Sequence, residues 1–398
     1  MLETCSPLGL RAEVAISPGV GSPPRVPALD GLRGVAIGLI MILHLYVRAP
    51  TPPGSQLHES LKTLFSLSFC GVDLFFVLSG FLIAGILLDQ RGAPNLLRVF
   101  YVRRAFRILP LYALLLASFF AAREIPSFAR TNLGMYFHSD VPLWSYFVFL
   151  QNATMAAARD LGAYWLTPTW SLAVEEQFYL LMPLAVLRCS RPQLVWLCTG
   201  LVLLAPCGRM LALLLAGNGF AAMFLLPMRA DALLLGVLVA VLVRSPAATE
   251  SVRRHRPLLG AVTSGLVVAC IVLSLGNPSA DSWLMASLGY TLVGLCGASV
   301  LLWTLIAPGS TVARALTWRP LRALGLVSYF VYLFHQPVWF ALHWLLRGSS
   351  PRHLTPDAWA VTALAAVVTC ALAAASWRWF ERPLLSLGHR FVFRSITS

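Results

Sequence analysis

Arg33 and His44 lie eleven residues apart in LRGVAIGLIMILHLYV, with no Lys, Arg, Asp or Glu between them. An imidazole inside a membrane-length apolar segment is costly to bury, which marks it as a candidate functional group. Neutral histidine is a general base near neutral pH. If the segment is helical, the spacing raises the imidazole about 16 Å above the guanidinium. One element then joins an anion held at one depth to a proton transfer at another. A hydrogen-bonded core histidine is the alternative. Asp30 precedes the segment, placed to N-cap the helix and to pair with Arg33 three residues on. For Asp30 and Arg33, a cap with a snorkelling arginine competes with a chemical role.

Other polar groups interrupt the apolar stretches. In GVDLFFVLSGFLI (71–83), Asp73 needs a buried partner such as Arg229, and Ser79 and Gly80 lie deeper. PTWSLAVEEQFYLLMP (168–183) opens a span with Trp170 and carries Glu175, Glu176 and Tyr179. Adjacent residues diverge by about 100° on a helix, so at least one of the two glutamates points into the bundle. Trp170 and Tyr179 suit stacking on a substrate or the membrane interface. In MRADALLLG (228–236), Arg229 and Asp231 can neutralise each other. His335, in LGLVSYFVYLFHQPV, resembles His44 in kind, and packing and substrate contact stand equal for it.

The elements that position these groups are membrane helices. The chain has 398 residues, 58% hydrophobic and 12% charged, with mean hydropathy +0.75. Soluble domains carry about 25% charged residues. Ten apolar spans are expected, at about 34–48, 63–88, 108–122, 170–187, 194–216, 223–243, 258–275, 284–306, 323–346 and 358–377. The piece 143–150 is too short to cross and reads as interfacial or re-entrant. The fold class is therefore an all-α polytopic bundle: a tail over 1–28, a membrane domain over 29–383 and a second tail over 384–398. The net charge of +14 does not indicate nucleic-acid binding, because the arginines fall in short clusters between spans. These clusters occupy alternate loops, which puts both termini in the cytoplasm. A basic loop over 98–107 is expected before the third span, and the five arginines between 91 and 107 fit that orientation rule, with a phosphate clamp as the sharper alternative. The eight cysteines lack CxxC spacing and read as small buried hydrophobes, so no metal site is expected.

LDGLRG with the Arg–ten residues–His spacing, GVDLFFVLSGFLI, FYVRRAFRILPLY, WSLAVEEQFYLLMP, MRADALLLG, LGLVSYFVYLFHQP and SWRWFERPL occur in that order along nearly the whole chain. Together they resemble the acyltransferase-3 family of integral-membrane acyltransferases. The resemblance implies transfer of an acyl group, often acetyl from acetyl-CoA, to a hydroxyl of a sugar, glycolipid, envelope polymer or macrolide. It implies His44 as catalytic base, Arg33 as its functional partner and Glu175 as the motif glutamate. Cys70 stands where the family often has glycine, and FHQP replaces the commoner WHWP. The chain ends soon after its last span, so the soluble hydrolase-like domain of some members is expected to be missing.

The resulting expectation is an enzyme of the cell membrane whose Arg33, Arg103, Arg104 and Arg107 hold the phosphates of acyl-CoA, a donor substrate and not a resident cofactor. His44 deprotonates the acceptor hydroxyl, and Glu175 orients or stabilises the imidazole. Asp73, Ser79, Trp170, Tyr179, Arg229 and His335 are the candidate substrate contacts. An acyl-enzyme route through His44 or Ser79 stays open. A transporter using Asp73, Glu175, Arg229 and His335 as a proton or substrate path is the rival class.

Overall fold

The structure, a computed structural model, describes residues 26–50, 54–125, 134–352 and 354–394. The expected N-terminal tail lies outside it as far as residue 25. Among the described residues every regular element is helical, and the chain is an all-α polytopic membrane bundle.

Among the described residues, eight helical segments are long and apolar enough to cross a membrane. They begin with α1 (Pro27–Ile42), which continues into a π turn over Leu43–Val47. Next, α2 (Gln56–Leu64) leads through a 3-10 turn into α3 (Gly71–Asp89), followed by α4 (Leu96–Arg123). The remaining five of the eight centre on α6 (Arg191–Ala216), α7 (Leu226–Leu242), α8 (Arg256–Leu275), α9 (Tyr290–Ile306) and α12 (Pro356–Ser376). The sequence count of ten also includes α5 (Thr169–Arg188) and α11 (Ser328–Arg347), which follows the short α10 (Arg319–Leu326). Both have 20 residues, about 30 Å of helix. Their low apolarity has a structural reason: they carry Glu175 and His335 into the bundle.

Burial separates an inner set from a lipid-facing set. The most apolar window of α1 is 61% buried, whereas that of α8 is 11% buried, with Leu258, Val268 and Val272 exposed. In a bilayer such a surface is solvated by acyl chains, and each helix satisfies its own backbone groups. The piece 143–150 forms only a short helix, Trp144–Phe147, with Trp144 and Phe147 exposed.

Glycines set how closely the inner helices approach. A Cβ added at Gly80 would lie 1.8 Å from the Leu233 carbonyl oxygen, and one at Gly236 would lie 2.1 Å from that of Val77. The backbones of α3 and α7 therefore touch, which is the small-residue packing used where lipid removes the hydrophobic drive between helices. Gly31 in LDGLRG sits against Leu316 in the same way, and Gly325 of α10 against Asp30. Gly236→Ala is expected to destabilise the bundle by about 1–3 kcal/mol through overpacking. A lower melting temperature in detergent, with unchanged expression of a Gly265→Ala control in open space, is the check.

Two expectations about local structure change. Asp30 is not an N-cap: α1 begins at Pro27 after Val26, and Asp30 sits inside the first turn, where a carboxylate favours the helix dipole. Residues 98–107 are not a loop but the first turns of the 28-residue α4. Beyond 383, the expected C-terminal tail forms α13 (Arg382–His389), and its continuation docks on α4. Asn95 donates to the Val392 carbonyl at 3.0 Å and accepts from the Arg394 amide at 3.0 Å.

Candidate active site

His44 lies in the π turn that ends α1, where the Arg48 amide bonds to the Leu43 carbonyl at 2.9 Å. Such one-turn widenings reorient side chains and are frequent at functional sites. Here the turn brings His44 against His335 of α11, with Nδ1 of His44 2.9 Å from Nε2 of His335. His335 is fully buried, and its Nδ1 lies 2.9 Å from both the Val331 and Tyr332 carbonyl oxygens. Carbonyls only accept, so that nitrogen carries the hydrogen. In a neutral ring Nε2 is then bare and must accept, so His44 Nδ1 donates. The consequence is directional: His44 Nε2 is left with its lone pair, the state a general base requires. A backbone-anchored histidine thus occupies the orienting position that a carboxylate holds in a Ser-His-Asp triad.

His44 faces a cavity of about 30 Å³ whose walls include Arg48, Trp170, Arg229, Tyr290 and Tyr332. Arg229 enters it from α7. Its Nη2 is 2.7 Å from Asp73 Oδ1, and its guanidinium lies 3.7 Å over the Tyr290 ring centroid. Both partners of the ion pair are buried, which is stable only when charge and hydrogen bonding are compensated. The alternative Arg229–Asp231 pairing is not formed. Asp231 instead bonds Arg209 at 2.9 Å, with both side chains fully buried, and accepts from Thr291 at 2.7 Å. Residues two apart on a helix point to different neighbours, so Asp231 faces α6 while Arg229 faces α3.

A second cavity, about 140 Å³, is lined by Arg33, Arg104 and Arg107 together with Ser79, Glu175 and Tyr179. Arg33 reaches it while paired to Asp30 at 3.2 Å. Arg104 and Arg107 are three apart and share a face of α4, whereas Arg103 points away and donates to the Phe391 carbonyl at 2.9 Å. Of the four arginines expected together, three line this cavity and Arg103 does not.

Glu175 differs most from expectation. It accepts a 2.8 Å hydrogen bond from Tyr179, one helical turn on, and the Tyr179 oxygen is 2.6 Å from Ser79 Oγ. His44 therefore takes its orientation from His335 and not from Glu175. Trp170 lines the histidine cavity, while Asp73 and His335 stand behind its walls, holding Arg229 and His44.

The sequence reading missed Tyr332, Val72 and Arg48. Val72 and Tyr332 line both cavities, and Arg48 lines the histidine cavity without an ion-pair partner among the described residues. Tyr332 lies three residues before His335 and Arg48 four after His44, so helical spacing from the two histidines would have found both.

Comparison with known proteins agrees with this architecture. The acyltransferase-3 family model, described as an acyltransferase domain, matches residues 26–378. The chain is 29% identical over 391 residues to YrhL of Bacillus subtilis, provisionally named as a peptidoglycan O-acetyltransferase, covering 93% of this chain and 56% of that protein. It is 26% identical over 386 residues to O-acetyltransferase OatA of Staphylococcus aureus, covering 93% and 58%. It is 27% identical over 379 residues to peptidoglycan O-acetyltransferase OatA of Listeria monocytogenes, covering 91% and 56%. The chain thus spans little more than half the length of these relatives. No solved structure matches it. Because the family match takes in both histidines, both cavities and all the apolar spans, the chain belongs to the acyltransferase-3 family of membrane acyltransferases.

Proposed function

We propose that the protein transfers an acyl group from acyl-CoA to a hydroxyl of a cell-envelope polymer, with His44 as the general base. The observation that carries this reading is the directional His44–His335 hydrogen bond, which leaves a bare imidazole nitrogen in a cavity. The adjoining arginine-lined cavity suits a polyphosphate donor, since guanidinium groups bind phosphate in bidentate fashion. The acceptor class rests on the relatives, two of which are named for peptidoglycan O-acetylation. With CoA supplied from the cytoplasm and the polymer outside, the protein works in the cell membrane with its arginine end inward.

In this mechanism Arg33, Arg104 and Arg107 hold the CoA phosphates, and the pantetheine arm extends past Ser79 toward His44. Glu175 acts through Tyr179 as a positioning residue, fixing the Ser79 hydroxyl along that path. His44 Nε2 takes the proton of the acceptor hydroxyl as its oxygen attacks the thioester carbonyl. The new C–O bond forms, the C–S bond breaks, and the imidazolium returns the proton to the leaving sulfur, giving an ester and CoA thiol. Arg48 and Arg229, both on the walls of the histidine cavity, are the cations available to the negative charge that develops on the carbonyl oxygen.

The test uses protein in liposomes with acetyl-CoA labelled in the acetyl group and isolated peptidoglycan as acceptor. Labelled ester on the glycan, matched by released CoA, supports the reading. Uptake of solute driven by a pH gradient without CoA release would replace it with transport. For Arg104→Ala with Arg107→Ala, KM for acetyl-CoA should rise about tenfold or more, from lost charge-assisted bonds to phosphate. Turnover of S-acetyl-N-acetylcysteamine, which has no phosphate, should stay near that of the unaltered protein. Equal losses with both donors would show that these arginines do not bind the nucleotide.

A further inference from the structure

The two cavities share part of their walls. Val72 of α3 and Tyr332 of α11 line both of them. The Tyr332 phenol is tethered at this boundary: its oxygen lies 2.8 Å from the Pro168 carbonyl, to which it donates, and 2.6 Å from Ser171 Oγ. The Phe75 ring meets the Tyr332 ring edge-on at 6.1 Å. Val72 is buried in the core cluster, and Tyr332 packs against it half-buried. The histidine cavity measures about 30 Å³, against about 140 Å³ on the arginine side. A water needs roughly 10–15 Å³ of such space, so the smaller cavity is small on the scale of an acyl chain. An acetyl group has three heavy atoms. A butyryl chain adds two more carbons.

Resting on the function proposed above, we propose that Val72 and Tyr332 form an acyl-length gate that selects two-carbon donors. The thioester carbonyl must pass this boundary to reach the hydroxyl activated by His44, and the carbons beyond it must fit within the histidine cavity. Specificity resides in the boundary, not in the arginines, because all acyl-CoA donors share the same phosphates. Val72→Ala removes two methyl groups from the wall, and Tyr332→Phe removes the tether while keeping the ring.

The experiment measures CoA release by the purified full chain from acetyl-, propionyl-, butyryl- and hexanoyl-CoA, with isolated peptidoglycan as acceptor and water alone as a second acceptor. The unaltered protein is expected to favour acetyl over butyryl by at least tenfold in kcat/KM, since one misfit methylene in an apolar pocket changes discrimination about 10–200-fold. In Val72→Ala that ratio should fall about tenfold, and in Tyr332→Phe by severalfold. Val237→Ala, at a buried valine of α7 that lines neither cavity, should keep the original ratio. An unchanged ratio in either folded gate variant overturns the gate, as does equal use of acetyl- and butyryl-CoA by the unaltered protein. Absence of CoA release from every donor overturns instead the acyl-CoA reading on which the gate rests.

Discussion

His44→Ala is expected to lower acyl transfer by about three orders of magnitude, within the range of roughly 10²–10⁴ that a positioned general base contributes. In the proposed mechanism the loss should fall on kcat, because there the arginines of the other cavity hold the donor and the imidazole acts only as the hydroxyl is deprotonated. Folding should be little affected, since the side chain is partly exposed to a cavity and its removal strands only one acceptor, His335 Nε2. His335→Ala probes the same unit from behind. It should cost about a hundredfold, because His44 keeps its nitrogen but loses the hydrogen bond that fixes which nitrogen is bare. The double variant should be no slower than His44→Ala alone, since residues acting as a unit are not additive. Additive losses would show that His335 contacts substrate independently. Steady-state kinetics on protein matched by melting temperature decides between these outcomes.

Asp73→Asn has the largest expected effect on stability. It leaves the Arg229 guanidinium, 2% exposed, without its counter-charge in the interior. Removing one partner of a buried ion pair typically costs about 3–5 kcal/mol. Tyr290 beneath the guanidinium offsets a part of this through its ring face. A thermal melt in detergent should show a large downward shift. Adding Arg229→Met to Asp73→Asn should recover most of it, because no buried charge then lacks a partner. Activity should not return with stability, since methionine cannot stabilise charge developing in the histidine cavity. If the double variant melts no higher than the single one, the pair does not act as a compensated unit.

Much of this protein was legible along the chain. Apolar runs of membrane length marked the eight segments apolar enough to cross, and the two further expected spans, which carry Glu175 and His335, are helices of greater polarity. The Asp30–Arg33 pair and the placing of Arg33 and His44 on one element followed from local spacing. The glycines of LDGLRG and LSGFL were visible, and their reason became clear only where each meets a partner carbonyl. Less legible were the boundaries of polar stretches. Residues 98–107 looked like a basic loop because arginine breaks a hydropathy run, yet arginine is a good helix former and the helix continues through them.

Sequence alone therefore determined what is set within one helix: the spans, the rise from Arg33 to His44, and the shared face of Arg104 and Arg107. The tertiary structure decided every pairing between helices. It gave His44 to His335 rather than Glu175, Arg229 to Asp73 rather than Asp231, and Arg103 to the C-terminal segment rather than the cavity. The reason is rotational. Residue spacing fixes height and relative direction along one axis, but the angle at which each helix faces its neighbours depends on backbone contacts at Gly31, Gly80 and Gly236 and on the π turn at His44. Those features couple residues far apart in the chain, and no local pattern encodes them.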